Sequence, residues 1–332
     1  MRKRIYLILI LLLAVLFIAD CILGSVYIPI DDLWSILFSS KQSTDYYIIT
    51  QLRLPRAIMA VITGAGLSIA GLLMQTLFKN PLAGPFVLGI SSGAGLGVAI
   101  AILGGAVMGY EIVNNTGIII SSILGSLAVF MLIILISLRI KDTMGLLIIG
   151  LMVGSLSSAV VGILQYLSPS EQLQRYVFWG LGSLGNLTWQ QLGIIAVIIT
   201  ISLIALVFLI KPLNALLLGE NYARSLGINI PQTRWLVIII TCLLAGTITA
   251  FAGPIAFIGL AIPHIARQLI HYNDHKTMIP LVIILGAIVL LICDMVSQVP
   301  FSNFSLPINA VTSIIGAPLV IWLIVKKRYL RF

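Results

Sequence analysis

Charged residues are scarce in this sequence. Only 9% of the 332 residues are Asp, Glu, Lys or Arg, 60% are hydrophobic, and the mean hydropathy is +1.16. A soluble chain of this length needs far more charge to cover its surface. Apolar runs such as residues 5–19 recur along the chain, and about 20 apolar residues suffice for one helix to cross a bilayer. The composition therefore excludes a soluble protein and predicts an all-α polytopic membrane protein, with one transmembrane domain over residues 1–332.

Cysteines, intramembrane charges and nucleotide-binding loops are also rare or missing. The three cysteines, Cys21, Cys242 and Cys293, lie in or at the end of apolar runs without metal-site spacing, which favours small packing residues. Asp20 and Asp294 fall near the outer ends of their predicted helices, so no acid or base is expected at mid-bilayer, where ion-coupled carriers usually bury one. The sequence contains no G-x-x-x-x-G-K-[ST] stretch, so it lacks the phosphate cradle and cannot hydrolyse ATP alone.

The sequence predicts about ten membrane-spanning helices, the first of them retained rather than cleaved as a signal sequence; hydropathy alone also allows eight or nine, and the charge distribution favours ten. They cover residues 5–25, 56–77, 86–108, 117–138, 144–166, 190–210, 235–251, 255–270, 278–297 and 308–325. With ten spans both termini lie on one side, and only four of the 19 basic residues fall on the other: Lys41, Arg53, Arg56 and Arg175. The positive-inside rule therefore predicts cytoplasmic termini. The net charge of +9 is interpreted as an orientation signal in a protein surrounded by membrane lipid, and no nucleic-acid partner is expected.

One polar segment, LGENYARSLGINIPQTRW (residues 218–235), interrupts the apolar runs. It falls in residues 211–234, the longest predicted cytoplasmic loop, and is typical of a short helix bracketed by glycines. Glu220 near the start of that helix suits the helix dipole, and Arg224 follows four residues later on the same face. The segment is either a solvated connector or a docking element for a cytoplasmic partner.

The spacing of Glu220, Ala223 and Gly227 resembles the EAA-type coupling motif of ABC importer permeases. Longer stretches resemble the FecCD family, which includes the permeases for iron-siderophore, haem and vitamin B12 import. These stretches are residues 52–95, 251–267 and 307–323. The resemblance implies a type II ABC importer permease fold that forms a homodimer with a second copy around a central pathway. It also implies two ATPase subunits docked below and a periplasmic or lipoprotein substrate-binding protein above, in the cytoplasmic membrane of a bacterium or archaeon.

The same resemblance implies roles for particular residues. The ATPase-coupling residues are Gly219, Glu220, Ala223, Arg224 and Gly227. The candidates for binding-protein docking are Arg53 and Arg56, whose guanidinium forks suit carboxylates; interfacial snorkelling is the alternative. A further docking arginine of the family's vitamin B12 permease is matched here by Gln298. The cytoplasmic gate is assigned to Asn80, Leu82, Thr143 and Met144, with a plain structural turn as the alternative for residues 79–85.

Some alternatives stay open at this point. The expected substrate is an iron chelate, because siderophore systems dominate the family, with haem and cobalamin as alternatives. A secondary transporter is the rival class, since PLAGPFVLGI (81–90) and FAGPIAFIGL (251–260) echo each other as inverted repeats do. The three histidines, His264, His271 and His275, are spaced seven and four residues apart, which places them on one helical face. A metal site usually needs a further carboxylate or fourth donor, so no metal or cofactor is expected. No nucleophile–base pair is apparent, and the chain is not expected to be an enzyme.

Overall fold

The computed structural model describes residues 2–24, 44–109, 114–137, 139, 143–185, 187–270, 273–299 and 304–325. Over these ranges the chain forms helices and no strand. The helices are α1 (Arg2–Ile22), α2 (Leu54–Phe78), α3 (Ile90–Ala99), α4 (Asn115–Ser137), α5 (Thr143–Leu167), α6 (Ser170–Gly180), α7 (Trp189–Leu217), α8 (Glu220–Ser225), α9 (Ile230–Ala252), α10 (Ile258–Ile270), α11 (His275–Ser297) and α12 (Ile308–Val325). Shorter helical pieces precede α2 and follow α3, so that continuous helices run over Thr44–Phe78 and Ile90–Val107.

Ten of these helices are apolar along their length, in agreement with the predicted set. Within the described residues, eight are long and apolar enough to cross a membrane, and α10 and α12 are shorter apolar helices. The prediction of an all-helical, multi-pass membrane protein is confirmed. The number of spans and the side of the termini stay predictions.

Several helix boundaries differ from those predicted. The helix expected to begin at residue 56 extends back to Thr44, because a π-helical turn over Ile48–Arg53 leads directly into α2 without a break at Pro55. Helix α7 continues past Pro212 to Leu217, and α9 begins at Ile230 under the Asn229 side-chain cap, which accepts a hydrogen bond from the backbone nitrogen of Gln232. The cytoplasmic loop predicted over 211–234 is therefore only residues 218–229.

Helix α2 forms the centre of the bundle and packs against α9, α10 and α11. Two of its glycines let neighbouring backbones approach directly. A Cβ atom on Gly64 would overlap the carbonyl oxygen of Gly286, and one on Gly71 would overlap that of Gly259. Close packing through small residues is how helices associate where the hydrophobic effect is weak. These contacts fix α10 and α11 against α2, so both ends of α2 are held in place.

Candidate functional site

An arginine–aspartate pair lies at the end of the bundle that is predicted to face outside. Arg56 of α2 donates from Nε to both Asp294 oxygens (3.0 and 2.9 Å) and from Nη2 to Oδ1 (2.8 Å). Its Nη2 also donates to Ser297 Oγ at 3.0 Å. The Asp294 side chain is fully buried, while 23% of the Arg56 side chain is exposed. This two-pronged contact uses the geometry in which a guanidinium binds a carboxylate most specifically.

The pair belongs to a larger group that we call the outer polar cluster: Asp20, Arg53, Arg56, Asp294, Ser297 and Gln298. Gln298 Nε2 donates to Asp20 Oδ1 and to Asp294 Oδ2, both at 3.0 Å. Arg53 is buried and donates to the carbonyl oxygens of Cys21 and Ile22. The cluster therefore joins α1, α2 and α11, and the two arginines expected to bind a partner also make contacts within the chain.

The outer polar cluster also borders open space. Arg53, Arg56 and Gln298 line a cavity of about 380 Å³ together with Gln51 and Leu184. A second cavity of about 270 Å³ lies on the other side of Arg56. The exposed part of Arg56 is thus available to an external carboxylate, whereas Arg53 is largely buried at the edge of the cavity.

Helix α6, which the hydropathy pattern did not predict, lies at the same end of the bundle. Its residues Phe178 and Trp179, with Arg175 and Ser183, line a cavity of about 350 Å³. The sequence signal was the aromatic stretch VFWGLGSL (177–184), interpreted as an interfacial belt or a vestibule lining. The aromatic belt is the default interpretation, and both interpretations stay predictions, since the two residues line this cavity while Phe178 is also 61% exposed.

A fourth cavity has several hydroxyl groups in an otherwise apolar lining. It measures about 390 Å³ and lies among α3, α5 and α6. Its polar lining consists of Ser91, Ser92, Ser157, Ser158, Gln165 and Tyr176. None of its lining side chains is charged, so it offers hydrogen bonds without fixing the sign of a ligand.

The predicted gate segments lie at the end of the bundle that is predicted to face the cytoplasm. Helix α2 ends at Lys79, which adopts a left-handed conformation (φ 46°), and the Asn80 side chain accepts a hydrogen bond from the Leu82 backbone nitrogen at 2.9 Å. We call residues 79–84 the gate turn. The Leu82 side chain is 42% exposed, and Met144, at the start of α5 after Thr143, is 55% exposed. The gate assignment of these four residues stays a prediction.

Helix α10 contacts the gate turn through a hydrogen bond on its buried side. His264 Nε2 lies 2.7 Å from the carbonyl oxygen of Pro81, which accepts its hydrogen bond. Arg267 Nη1 donates to Gln75 Oε1 at 2.7 Å, and Gln75 Nε2 donates to the Leu260 carbonyl at 3.1 Å. The turn thus has polar support on the side away from solvent.

The coupling helix α8 presents a face that differs from the expected one. Ala223 is fully buried in a cluster with Ala215, Leu216 and Ile230 of its own chain, so it packs α8 onto the permease rather than against a partner. Three large apolar side chains of this segment are exposed instead: Tyr222 (50% exposed) within α8, Leu218 (67%) just before it and Leu226 (57%) just after it. The sequence analysis missed these residues, although large apolar side chains in a polar segment were the available signal.

The other coupling candidates have mixed positions. Glu220 pairs with Arg234 of α9 at 3.5 Å rather than with Arg224, whose side chain is exposed. Gly219 (φ 115°) and Gly227 (φ 76°) have backbone conformations that other residues rarely adopt, and a Cβ on either would meet open space. The two glycines bracket α8 as predicted, and the need for them is conformational.

The histidines make ordinary structural contacts where they are described. His264 bonds the gate turn, and His275 bonds Thr76 and Asn214. Among the described residues no group of three or more His, Cys, Asp or Glu side chains is placed to hold a metal. His271 lies outside the described residues.

Comparison with known proteins identifies the chain. A solved structure described as an inward-facing conformation of a metal-chelate type ABC transporter has a TM-score of 0.86 and 32% identity, covering 98% of this chain and 99% of that one. PsaBC from Streptococcus pneumoniae in complex with Fab, at TM-score 0.50 and 18% identity over 81% of this chain and 90% of that one, supports the fold alone. The fold and its sites define a membrane-spanning permease of an ABC importer. The chain belongs to the FecCD transport family, whose model matches residues 11–326.

Its relatives include vitamin B12 permeases. The vitamin B12 import system permease protein BtuC of Salmonella typhi is 37% identical over 279 residues, which are 84% of each chain. The corresponding protein of Klebsiella pneumoniae is 37% identical over 280 residues, covering 84% of this chain and 83% of the relative. The chain is therefore a multi-pass permease that works with a separate ATPase and a substrate-binding partner.

Proposed function

We propose that this permease imports a metal chelate, with an iron-siderophore complex as its substrate, using ATP hydrolysed by its partner. The observation that carries the ATP-driven mechanism is the exposed apolar face formed by α8 and its two flanking leucines, because exposed apolar side chains in a short polar segment indicate a protein contact. Leu218, Tyr222 and Leu226 are the proposed contacts for the ATPase subunit, with Arg224 at the rim. Gly219, Glu220, Ala223 and Gly227 hold α8 in the orientation that presents this face.

A substrate-binding protein is proposed to dock on the outer polar cluster. Arg53 and Arg56 border the cavity of about 380 Å³ and are among the few basic residues on the side predicted to be outside. Because Asp294 already neutralises much of the Arg56 charge, a carboxylate of the binding protein would share the Arg56 guanidinium with Asp294. The neutral Gln298 adds hydrogen-bonding capacity but no charge.

The transport route is proposed to run between two copies of the chain. Helices α5 and α12 are largely exposed, with Leu156 at 66% and Ile314 at 73%, so they have apolar surface for a second copy or for lipid. The fourth cavity opens beside α5 and supplies neutral hydroxyl groups for the route. At the predicted cytoplasmic end, the route is proposed to be closed by the gate turn, through Asn80 and Leu82, and by the start of α5, through Thr143 and Met144.

Cobalamin is the second candidate substrate, favoured by the vitamin B12 permeases among the relatives. Both candidates are large metal chelates, and the uncharged lining of the cavity beside α5 is compatible with either. The test is to purify the cognate binding protein with this permease and ATPase, and to identify its ligand by mass spectrometry. Uptake of ferric siderophore but not cobalamin into proteoliposomes supports the proposal. Uptake of cobalamin alone establishes the second candidate.

A further inference from the structure

The last turn of α7 lies directly beneath the coupling helix. Ala215 and Leu216 in this turn pack with Ala223 of α8 in one buried cluster. The backbone continues the connection, because Gly219 donates to the carbonyl of Leu216 and Ala223 donates to that of Gly219. A displacement of α8 is therefore passed to the end of α7 through both packing and hydrogen bonds.

The neighbouring side chain in that turn, Asn214, faces a different helix. Its Oδ1 accepts hydrogen bonds from the backbone nitrogen and from Nδ1 of His275, both at 2.8 Å. Its amide nitrogen donates to Oδ1 of Asp274, the N-cap residue of α11. Three hydrogen bonds thus attach the end of α7 to the start of α11.

His275 continues the connection to α2. Its Nε2 lies 2.9 Å from the hydroxyl of Thr76, and both residues are almost completely buried. Since Asn214 Oδ1 can only accept, Nδ1 carries the proton of the neutral ring, and Nε2 accepts from the Thr76 hydroxyl. The same hydroxyl lies 2.9 Å from the Leu72 carbonyl of α2, so its one proton is shared between the two acceptors. Each ring nitrogen therefore has one partner, and each partner belongs to a different helix.

Thr76 stands in the last turn of α2, immediately before the gate turn. The Thr76 carbonyl accepts from the backbone nitrogen of Lys79 at 3.4 Å, and the Gln75 carbonyl accepts from that of Asn80 at 3.2 Å. The position of Thr76 therefore sets the position of the gate turn and of Leu82 within it.

We propose that Asn214, His275 and Thr76 form a relay that transmits movement of the coupling helix to the cytoplasmic gate. The inference rests on the proposed ATP-driven function and deepens it. The three are positioning residues, since none of them lines any of the cavities described above. Buried hydrogen bonds suit this task because stretching one leaves a polar group without water or partner, so the bonded groups move together.

The amount of substrate taken up per ATP hydrolysed distinguishes two possible roles of the Thr76 hydrogen bond. Loss of a bond that only stabilises the fold leaves this ratio unchanged, whereas loss of a bond that transmits motion lowers it. Thr76→Val removes the hydroxyl with little change of shape, and Thr76→Ser retains the hydroxyl as the matched control. Both variants are prepared as the full complex with ATPase and binding protein in proteoliposomes. Asn214→Ala tests the other end of the relay if Thr76→Val fails to assemble.

We expect Thr76→Val to keep binding-protein-stimulated ATP hydrolysis within about twofold while substrate uptake per ATP falls about tenfold, as expected for losing one buried hydrogen bond from the coupled state. Thr76→Ser should retain most of the coupling. The gate itself can be followed with Leu82→Cys, because the three native cysteines are buried. Maleimide labelling at position 82 should respond to ATP in the parental background and lose that response with Thr76→Val.

Three negative results have different meanings. If Thr76→Val and Asn214→Ala complexes both transport at the parental ratio and position 82 still responds to ATP, the relay is wrong while the importer function stands. If the parental complex couples no ATP hydrolysis to uptake, the proposed function is wrong and the relay is wrong with it. Equal loss of hydrolysis and uptake in the Thr76→Val and Thr76→Ser variants also refutes the relay, because it shows a purely structural role.

Discussion

The Arg56–Asp294 pair should stabilise the fold as well as any contact with a partner. Arg56→Gln removes the positive charge and leaves the carboxylate of Asp294, which is fully buried, with only the Gln298 amide as a donor among the contacts described above. Breaking a buried ion pair on one side typically costs about 3–5 kcal/mol. Because Arg56 is 23% exposed and Gln298 remains, we expect about 3 kcal/mol, the lower end of that range.

A double variant provides the control. Arg56→Gln with Asp294→Asn replaces the ion pair by two neutral amides that can still bond each other, and neutral replacement of a buried pair is often close to neutral in stability. We expect the double variant to unfold within about 1 kcal/mol of the parent, so that Asp294→Asn restores about 2 kcal/mol of the stability lost in Arg56→Gln. The measurement is unfolding by SDS titration in mixed micelles, followed by tryptophan fluorescence.

The single and double variants also distinguish an effect on fold stability from an effect on binding-protein docking. If the Arg56 charge binds the substrate-binding protein, the double variant should fold normally yet bind that protein more weakly by surface plasmon resonance. Arg53→Glu with Arg56→Glu, a more drastic change, would place two further acids beside Asp20 and Asp294 and is expected to damage the fold itself. An Arg56→Gln variant that unfolds within 0.5 kcal/mol of the parent, taken as about the scatter of a surface substitution, would refute the buried pair.

Three further predictions concern packing and coupling. Tyr222→Ala should weaken ATPase association by about 2 kcal/mol, or roughly thirtyfold in affinity, as for an aromatic interface anchor, whereas unchanged co-purification would contradict the proposed face. Gly227→Trp should impair coupling to the ATPase more than Gly227→Asn, because asparagine tolerates the positive φ of this position. Equal ATPase stimulation in the two variants would assign the effect to backbone strain alone. Gly71→Val should destabilise the bundle by about 3 kcal/mol or more, because the Cβ of the valine would overlap the Gly259 carbonyl. SDS titration measures this loss, and a parental unfolding curve would mean that the two helices lie further apart.

Local patterns were enough to predict the architecture. Apolar runs gave the positions of the long helices, since a helix that crosses a bilayer must be apolar over about 20 residues. The polar stretch of residues 218–235 indicated a short helix outside the apolar spans, and its glycines marked the ends of α8 correctly, while its coupling role stays a prediction. These features depend on residues close together in the chain, which the sequence shows directly.

Contacts between distant residues were not predictable in the same way. The sequence placed Arg53 and Arg56 at the outer end of a helix, but nothing in it pairs Arg56 with Asp294, which lies 238 residues away. The buried side of α8 was also misjudged. Ala223 is small because it packs against Ala215 and Leu216, and a single short helix has no periodicity long enough to show which face is covered.

Helices α2 and α11 connect these distant contacts. At one end, Arg56 binds Asp294; at the other, Thr76 bonds His275; between them, Gly64 and Gly286 bring the two backbones together. The 19 residues from His275 to Asp294 span about 28 Å of helix, close to the thickness of the hydrocarbon core. At this crossing a Cβ on either glycine would overlap atoms of the other helix. Contacts at both ends and near the middle therefore hold α2 and α11 together along their length.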